Sequence, residues 1–234
     1  MVTANGPGMQ ARWHNQPTDV WSGEPFARDD TSPDREFYAQ PRIVSHVDSL
    51  ASGIIGELYR HWIPDHARVL DLMASWESHL PDALSPSHLT GLGMNEEELA
   101  QNTRLDDRVI QDLNSESRLP FESATFDTVI CTVSVEYLVR PLEVFAEVNR
   151  ILKPGGRLVV TFSNRWFPPK AIRIWETLHE YERMGLVLEY FQLGGKFSDL
   201  RTWSLRGLPR PADDKYAGRL ASSDPVYAVC GTRA

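Results

Sequence analysis

The clearest patterning of apolar and polar positions lies between Val109 and Phe167. Phe126–Val133 is a short, nearly continuous apolar run ending in small and polar residues, so it reads as a buried strand. Pro141 to Leu152 follows with Leu142, Phe145, Val148 and Leu152 at helical spacing, which predicts an amphipathic helix with Pro141 in its first turn. Lys153-Pro154-Gly155-Gly156 supplies a helix stop and a tight turn, and Leu158–Phe162 reads as a second buried strand. Strand, helix, turn and strand form a right-handed crossover unit of a parallel sheet.

The same reading extends in both directions. Ile43, Val47, Leu50, Ile54, Leu58 and Trp62 share one stripe, predicting a helix over Arg42–Trp62. Arg68–Leu72, His88–Gly93 and Asp107–Leu113 read as further strands. After the core unit, a helix is predicted over Lys170–Met184, then strands over Gly185–Leu193 and Pro225–Gly231. Residues 1–35 show no period and read as a flexible segment or, given Trp13, Trp21 and Phe26, as a lid over the sheet's ligand edge. Residues 36–234 read as one domain, with 194–224 as an insertion before the last strand that is long for a connection.

Composition narrows the function classes. No apolar run approaches the ~18–20 residues that a membrane span requires, and the N-terminus has no apolar core of a secretory signal. A net charge of −8 without a basic patch over the core favours a small-molecule partner over nucleic acid. The two cysteines, Cys131 and Cys230, both fall in predicted strands and read as packed thiols, and no His or Cys cluster has metal-ligand spacing. A cytoplasmic protein, a monomer or homodimer, is the expectation.

VLDL at 69–72 and FDTVICTVSVEYLVRPLEVFAEVNRILKPGGRLVV at 126–160 resemble the class I S-adenosylmethionine-dependent methyltransferases of the type 11-like group, best over Arg68–Asn164. The resemblance implies an α/β, Rossmann-like three-layer sandwich: a mostly parallel seven-stranded sheet with an antiparallel last strand. It also implies S-adenosyl-L-methionine as cofactor, S-adenosyl-L-homocysteine as product and methyl transfer to a small-molecule acceptor. The other reading is a non-catalytic ligand-binding or interaction protein on the same fold.

In that family the acid ending the first strand precedes a Gly-x-Gly turn at a helix N-terminus, where a Cβ would obstruct the cofactor. Here Asp71 is in place, but Met73, Ala74 and Ser75 stand where glycines are expected. The family's ribose acid falls at Gly93; Asn95 or Glu96 is the substitute, unless the Glu96–Glu98 run only favours the start of a helix. Asp112, with Leu113, matches the adenine-binding position, a turn-forming role being the alternative.

The end of the fourth strand, with Thr132, is where acceptor chemistry is expected. Glu136, Tyr137 and His46 are candidate catalytic groups, needed as bases only if the acceptor loses a proton early. Tyr38 and Arg42 are candidates for a ligand carboxylate or the acceptor, and Asn164 and Arg165 for an acceptor carboxylate or phosphate. For each of these, a surface or loop-pinning contact is the competing reading.

Overall fold

Apolar runs too short for helices become the centre of a single sheet. The computed structural model describes residues 23–234. Its strands are β1 (Arg68–Leu72), β2 (His88–Gly93), β3 (Asp107–Ile110), β4 (Phe126–Thr132), β5 (Leu152–Phe162), β6 (Phe197–Leu205) and β7 (Val226–Arg233). They lie in the order β3-β2-β1-β4-β5-β7-β6. Pairing is parallel from β3 through β5, and β7 runs antiparallel to both β5 and β6. The order reverses between β1 and β4, which opens a crevice at the carboxyl ends of those strands.

Side chains alternate across the strands, so two cores form. Leu70, Leu72, Val129, Cys131, Leu158 and Val160 face one layer, built from α4 (Pro141–Ile151), α5 (Arg173–Thr177) and α6 (Glu180–Leu193). Val69, Ile130, Val159, Ala228 and Cys230 face the other, built on α2 (Ser49–Trp62) and α3 (Glu96–Gln101). Cys131 and Cys230 are therefore buried free thiols on opposite faces. Burial pushes the thiol of Cys230 up to about 11 and raises that of Cys131 well above its ordinary value. Among the described residues no helix is long and apolar enough to cross a membrane.

Several predicted elements change. The helix expected from Arg42 begins at Ser49, because Asp48 caps it by accepting from the Ala51 N–H at 2.9 Å. Residues 42–47 form a loop instead. Gly185–Leu193, expected as a strand, is the second half of α6: Arg183, Leu186, Val187, Tyr190 and Phe191 are buried at helical spacing. A His179–Glu182 capping box starts that helix. The helix expected over Lys170–Met184 is broken into a 3-10 turn at Pro168–Lys170, then α5 and the start of α6. Strand β6 falls inside the stretch read as an insertion, leaving residues 206–225 as its connection to β7. The third strand stops at Ile110, short of Leu113.

Residues 23–38, which include α1 (Asp34–Phe37), are strapped across the loop after β5. Asp30 N donates to Pro169 O at 2.8 Å, Arg173 N to Ala27 O at 2.7 Å and Ile174 N to Pro25 O at 3.0 Å. Lys170 is fully buried beneath the strap, with its ammonium 3.2 Å from both the Asp30 and Asp34 carboxylates. Arg28 forks onto Asp34 from the other side at 2.7 and 2.8 Å. Phe26 packs on the core; Trp13 and Trp21 lie outside the described residues.

Candidate functional site

The carboxyl ends of the parallel strands, the strap and the loop at 214–216 enclose one cavity of about 540 Å³. That falls within the ~300–1,000 Å³ usual for small-molecule sites. Of the residues singled out from the sequence, Tyr38, Arg42, His46, Asp71, Met73, Ala74, Ser75, Asn95, Asp112, Leu113, Thr132, Tyr137, Asn164 and Arg165 all line it. Glu136 does not. Its side chain is buried, its Oε2 has no partner, and burial pushes its carboxyl up to about 8. Of the three catalytic candidates, Tyr137 and His46 reach the cavity and Glu136 stands behind its wall.

The turn after β1 departs from the expected Gly-x-Gly pattern in two ways. It has no glycine, and no helix follows it, since residues 73–87 run to β2 without one. Met73 takes up the left-handed backbone conformation itself (φ 61°), as does Val133 after β4 (φ 42°). A β-branched residue held there is strained, and such strain collects at functional sites. The close approach that a turn glycine would allow occurs at Gly93 instead. A Cβ on Gly93 would lie 2.2 Å from the Ala74 carbonyl oxygen, while Ala74 N donates to Leu92 O at 2.8 Å. An acid at residue 93 would be forced against the Ala74 carbonyl.

Asn95 does not take over that role. Its Oδ1 caps α3 by accepting from Glu98 N at 3.0 Å, and its Nδ2 donates to Tyr38 O at 2.9 Å and to Ala39 O at 3.3 Å. Nor does Glu96: it is exposed in the first turn of α3 and is not part of the cavity wall. The acid that reaches the cavity is Glu98. Its Oε2 accepts from Ser75 Oγ at 2.6 Å and its Oε1 from Arg42 N at 2.7 Å. These contacts, with Asn102 Nδ2 on Ser75 O at 3.1 Å, hold the glycine-less turn in place of a following helix. Sequence reasoning missed Glu98 as a site residue, because a run of three glutamates at a helix start carries no signal for which one turns inward.

Asp71 is 2% exposed, and its Oδ2 has no hydrogen-bond partner among the described residues. Burial pushes its carboxyl up to about 7, against a lowering hydrogen bond from Ser78. Asp112 lines the cavity but caps its own turn: Oδ1 accepts from Asn114 N at 2.9 Å and Oδ2 from Ser115 Oγ at 2.6 Å. Thr132 Oγ1 is bonded to Tyr59 OH at 2.5 Å, which also meets Thr161 Oγ1 at 3.0 Å.

The opposite wall is aromatic. The Phe167 ring stacks on Tyr137 (6.0 Å between centroids) and meets the edges of Phe37 (5.8 Å) and His46 (5.6 Å). Tyr137 OH accepts from Phe167 N at 2.9 Å, and burial raises its phenol, so it is a wall residue and not a ready base. His46 makes no hydrogen bond among the described residues, and burial pulls its pKa down, partly offset by Glu98. Arg165 is tied to Asp224 at 3.0 Å and covers the Tyr216 ring at 4.6 Å. Trp76, next to the turn, donates to Val44 O at 3.1 Å and stays outside the cavity lining.

A seven-stranded sheet of this order, with a ligand-sized cavity at its switch point, defines a Rossmann-like α/β protein with the methyltransferase arrangement of strands. Residues 73–160 match the methyltransferase domain family. A demethylmenaquinone methyltransferase of Clavibacter sepedonicus is 34% identical over 97 residues, covering 40% of each chain, so this chain spans well under two thirds of that relative's length. A possible histamine N-methyltransferase of Thermotoga maritima superposes with a TM-score of 0.56 at 14% identity, over 79% of this chain and 88% of that one. The [4+2]-cyclase SpnF superposes with a TM-score of 0.53 at 16% identity, over 81% and 88%. Over residues 73–160 the chain is therefore similar to the methyltransferase domain family, and its fold is that of the class I S-adenosylmethionine-dependent methyltransferases.

Proposed function

We propose that the protein transfers a methyl group from S-adenosyl-L-methionine to a small-molecule acceptor. The observation that carries this reading is Asp71: a buried carboxylate with an unpartnered oxygen, at the switch point, against a cavity of ligand size. It fits the ammonium of an amino-acid end. Glu98 offers a second carboxylate without a cation, and Asp112 with Leu113 lines the end beyond β3. The net charge of −8 supports a small-molecule acceptor over a nucleic acid.

When bound, S-adenosyl-L-methionine supplies a methyl group on a sulfonium whose leaving group departs neutral. The chain's part is then to bind, orient and exclude water. Tyr38, Tyr137 and Phe167 wall the acceptor side, and the Tyr59–Thr132–Thr161 hydroxyl chain fixes the end of β4. His46, neutral at pH 7 and without a partner, accepts the proton of an O–H or N–H acceptor at its free ring nitrogen.

A second reading, a ligand-binding protein or an enzyme of other chemistry on this fold, is favoured by the glycine-less turn and the absent helix after β1. Calorimetric titration with S-adenosyl-L-methionine and S-adenosyl-L-homocysteine decides between them. Micromolar binding of both supports methyl transfer; no heat and no thermal stabilisation, in folded protein free of carried-over ligand, removes it.

A further inference from the structure

The cations around the cavity differ in how they are compensated. Arg28 and Lys170 share Asp34, and Arg165 and Arg210 share Asp224, with contacts of 2.7–3.2 Å. Arg42 has no carboxylate within ion-pair distance among the described residues. Its guanidinium lies instead over the rings of Phe37 (4.4 Å), Phe167 (5.3 Å) and Tyr38 (5.5 Å). One amino group, Nη2, donates to Phe37 O at 2.9 Å; the other, Nη1, is buried with no partner among the described residues.

We propose that Arg42 is the seat for an anionic group, a carboxylate or phosphate, carried by the acceptor. The proposal rests on the reading of this cavity as a methyl-transfer site and names the class of acceptor. A planar guanidinium stacked on ring faces keeps its orientation without a carboxylate, so its free N–H edge stays available to an oxyanion. A buried donor of this kind without a protein partner is available to an incoming oxyanion. The placement favours the acceptor over the cofactor. The Arg42 and His46 side chains meet the same Phe167 ring, on the β5 side, whereas Asp71, the candidate for the cofactor's ammonium, stands at the end of β1. An acid held at Arg42 therefore brings its ring or chain past the imidazole. Lys215, exposed at the mouth and resting on Tyr216 at 5.2 Å, adds an uncommitted positive charge on the approach.

The test uses benzoate as an aromatic carboxylate, benzamide as its neutral counterpart and inorganic phosphate. Each is titrated by ligand-observed NMR into the full chain, with and without S-adenosyl-L-homocysteine. Benzoate or phosphate is expected to bind at least about tenfold more tightly than benzamide, with that preference lost in Arg42→Gln. The relative strength of benzoate and phosphate tells which oxyanion the seat takes. Equal binding of benzoate and benzamide by the unaltered protein, or no binding by either anion, overturns the proposal whether or not the variant folds. A second arm separates the cofactor's own carboxylate from the acceptor's. If Arg42→Gln weakens S-adenosyl-L-homocysteine but leaves 5′-methylthioadenosine (which lacks the amino-acid end) unchanged, Arg42 serves the cofactor and the proposal falls. Failure of S-adenosyl-L-homocysteine to bind at all removes the methyl-transfer reading instead, while the benzoate comparison still decides the anion seat.

Discussion

Acids on the two sides of the cavity are held in opposite ways. On the β5–β7 side each has cations: Asp224 takes Arg210 at 2.7 Å and Arg165 at 3.0 Å, Asp214 takes Arg210 at 2.9 Å, and Asp48 lies 3.4 Å from Arg210. On the β1–α3 side, Asp71 and Glu98 have neutral donors alone, Ser78 for the first and Ser75 Oγ with Arg42 N for the second. The first arrangement ties three loops together: the cap of α2, the 206–225 connection and the loop after β5. The second leaves negative charge uncompensated in a low-dielectric pocket, which costs stability until a ligand arrives. One side is built to stay shut and the other to receive.

That contrast can be broken most forcefully at Arg210, whose side chain is 3% exposed. Arg210→Met leaves Asp48 and Asp214 without a cation and Asp224 with Arg165 alone, and should cost about 3–5 kcal/mol in urea unfolding at pH 7. A loss under about 1 kcal/mol would mean that the clamped side does not hold the loops.

Next in size is Asp71. Its folded value is raised from 3.8 to about 7, so across that window the folded chain keeps a proton that the unfolded chain has released. Asp71 therefore contributes a fall in the stability of the ligand-free protein as pH climbs from about 4 to 7, and no further change above. Asp71→Asn should remove this slope, stabilise the ligand-free protein at pH 8 by about 2–4 kcal/mol, and weaken S-adenosyl-L-homocysteine at least about tenfold. Glu136→Gln should also stabilise at pH 8, because burial raises that carboxyl as well, but it should leave binding unchanged. If both variants behave alike in calorimetry, Asp71 is only a buried acid.

Restoring the family's ribose acid gives a smaller effect of opposite sense. Gly93→Asp forces a side chain against the Ala74 carbonyl and should destabilise by about 1–3 kcal/mol, with no gain in cofactor affinity. Tighter binding in that variant would show that the turn at 73–75 can move aside. Asp112→Ala is expected to cost about 1 kcal/mol of stability through its lost turn cap. A measurable drop in S-adenosyl-L-homocysteine affinity at unchanged fold would give Asp112 an adenine role in addition.

Much of the frame was legible in the residues, for local reasons. Arg68–Leu72, His88–Gly93 and the Pro141 helix each announce themselves by period and punctuation, and the structure has them at or within one residue of those bounds. Gly185–Leu193 misled because its apolar run is short and continuous, the pattern that a buried strand and half of a helix share. Strand β6 was hidden by its position at the sheet edge, where FSDLRTWSL is mostly half-buried or exposed and never presents a clean apolar face. The site residues converge because the strand ends do, which topology alone dictates. Their partners do not follow from spacing: Glu98 meets Arg42 N across 56 residues and Arg210 meets Asp48 across a far longer separation. The same is true of Arg42, whose three ring neighbours become visible as a set only once the strap lies across the loop after β5.

The two sheet cysteines give the molecule a pair of built-in reporters. With one thiol beneath each helical layer and both raised by burial, neither reacts with an alkylating reagent until its own layer lifts. Pulse alkylation followed by peptide mass spectrometry would thus time the detachment of α2 through Cys230 and of α4 with α6 through Cys131, in one sample and without engineered labels. Ligand-induced slowing at one thiol and not the other would identify which layer breathes when the cavity opens.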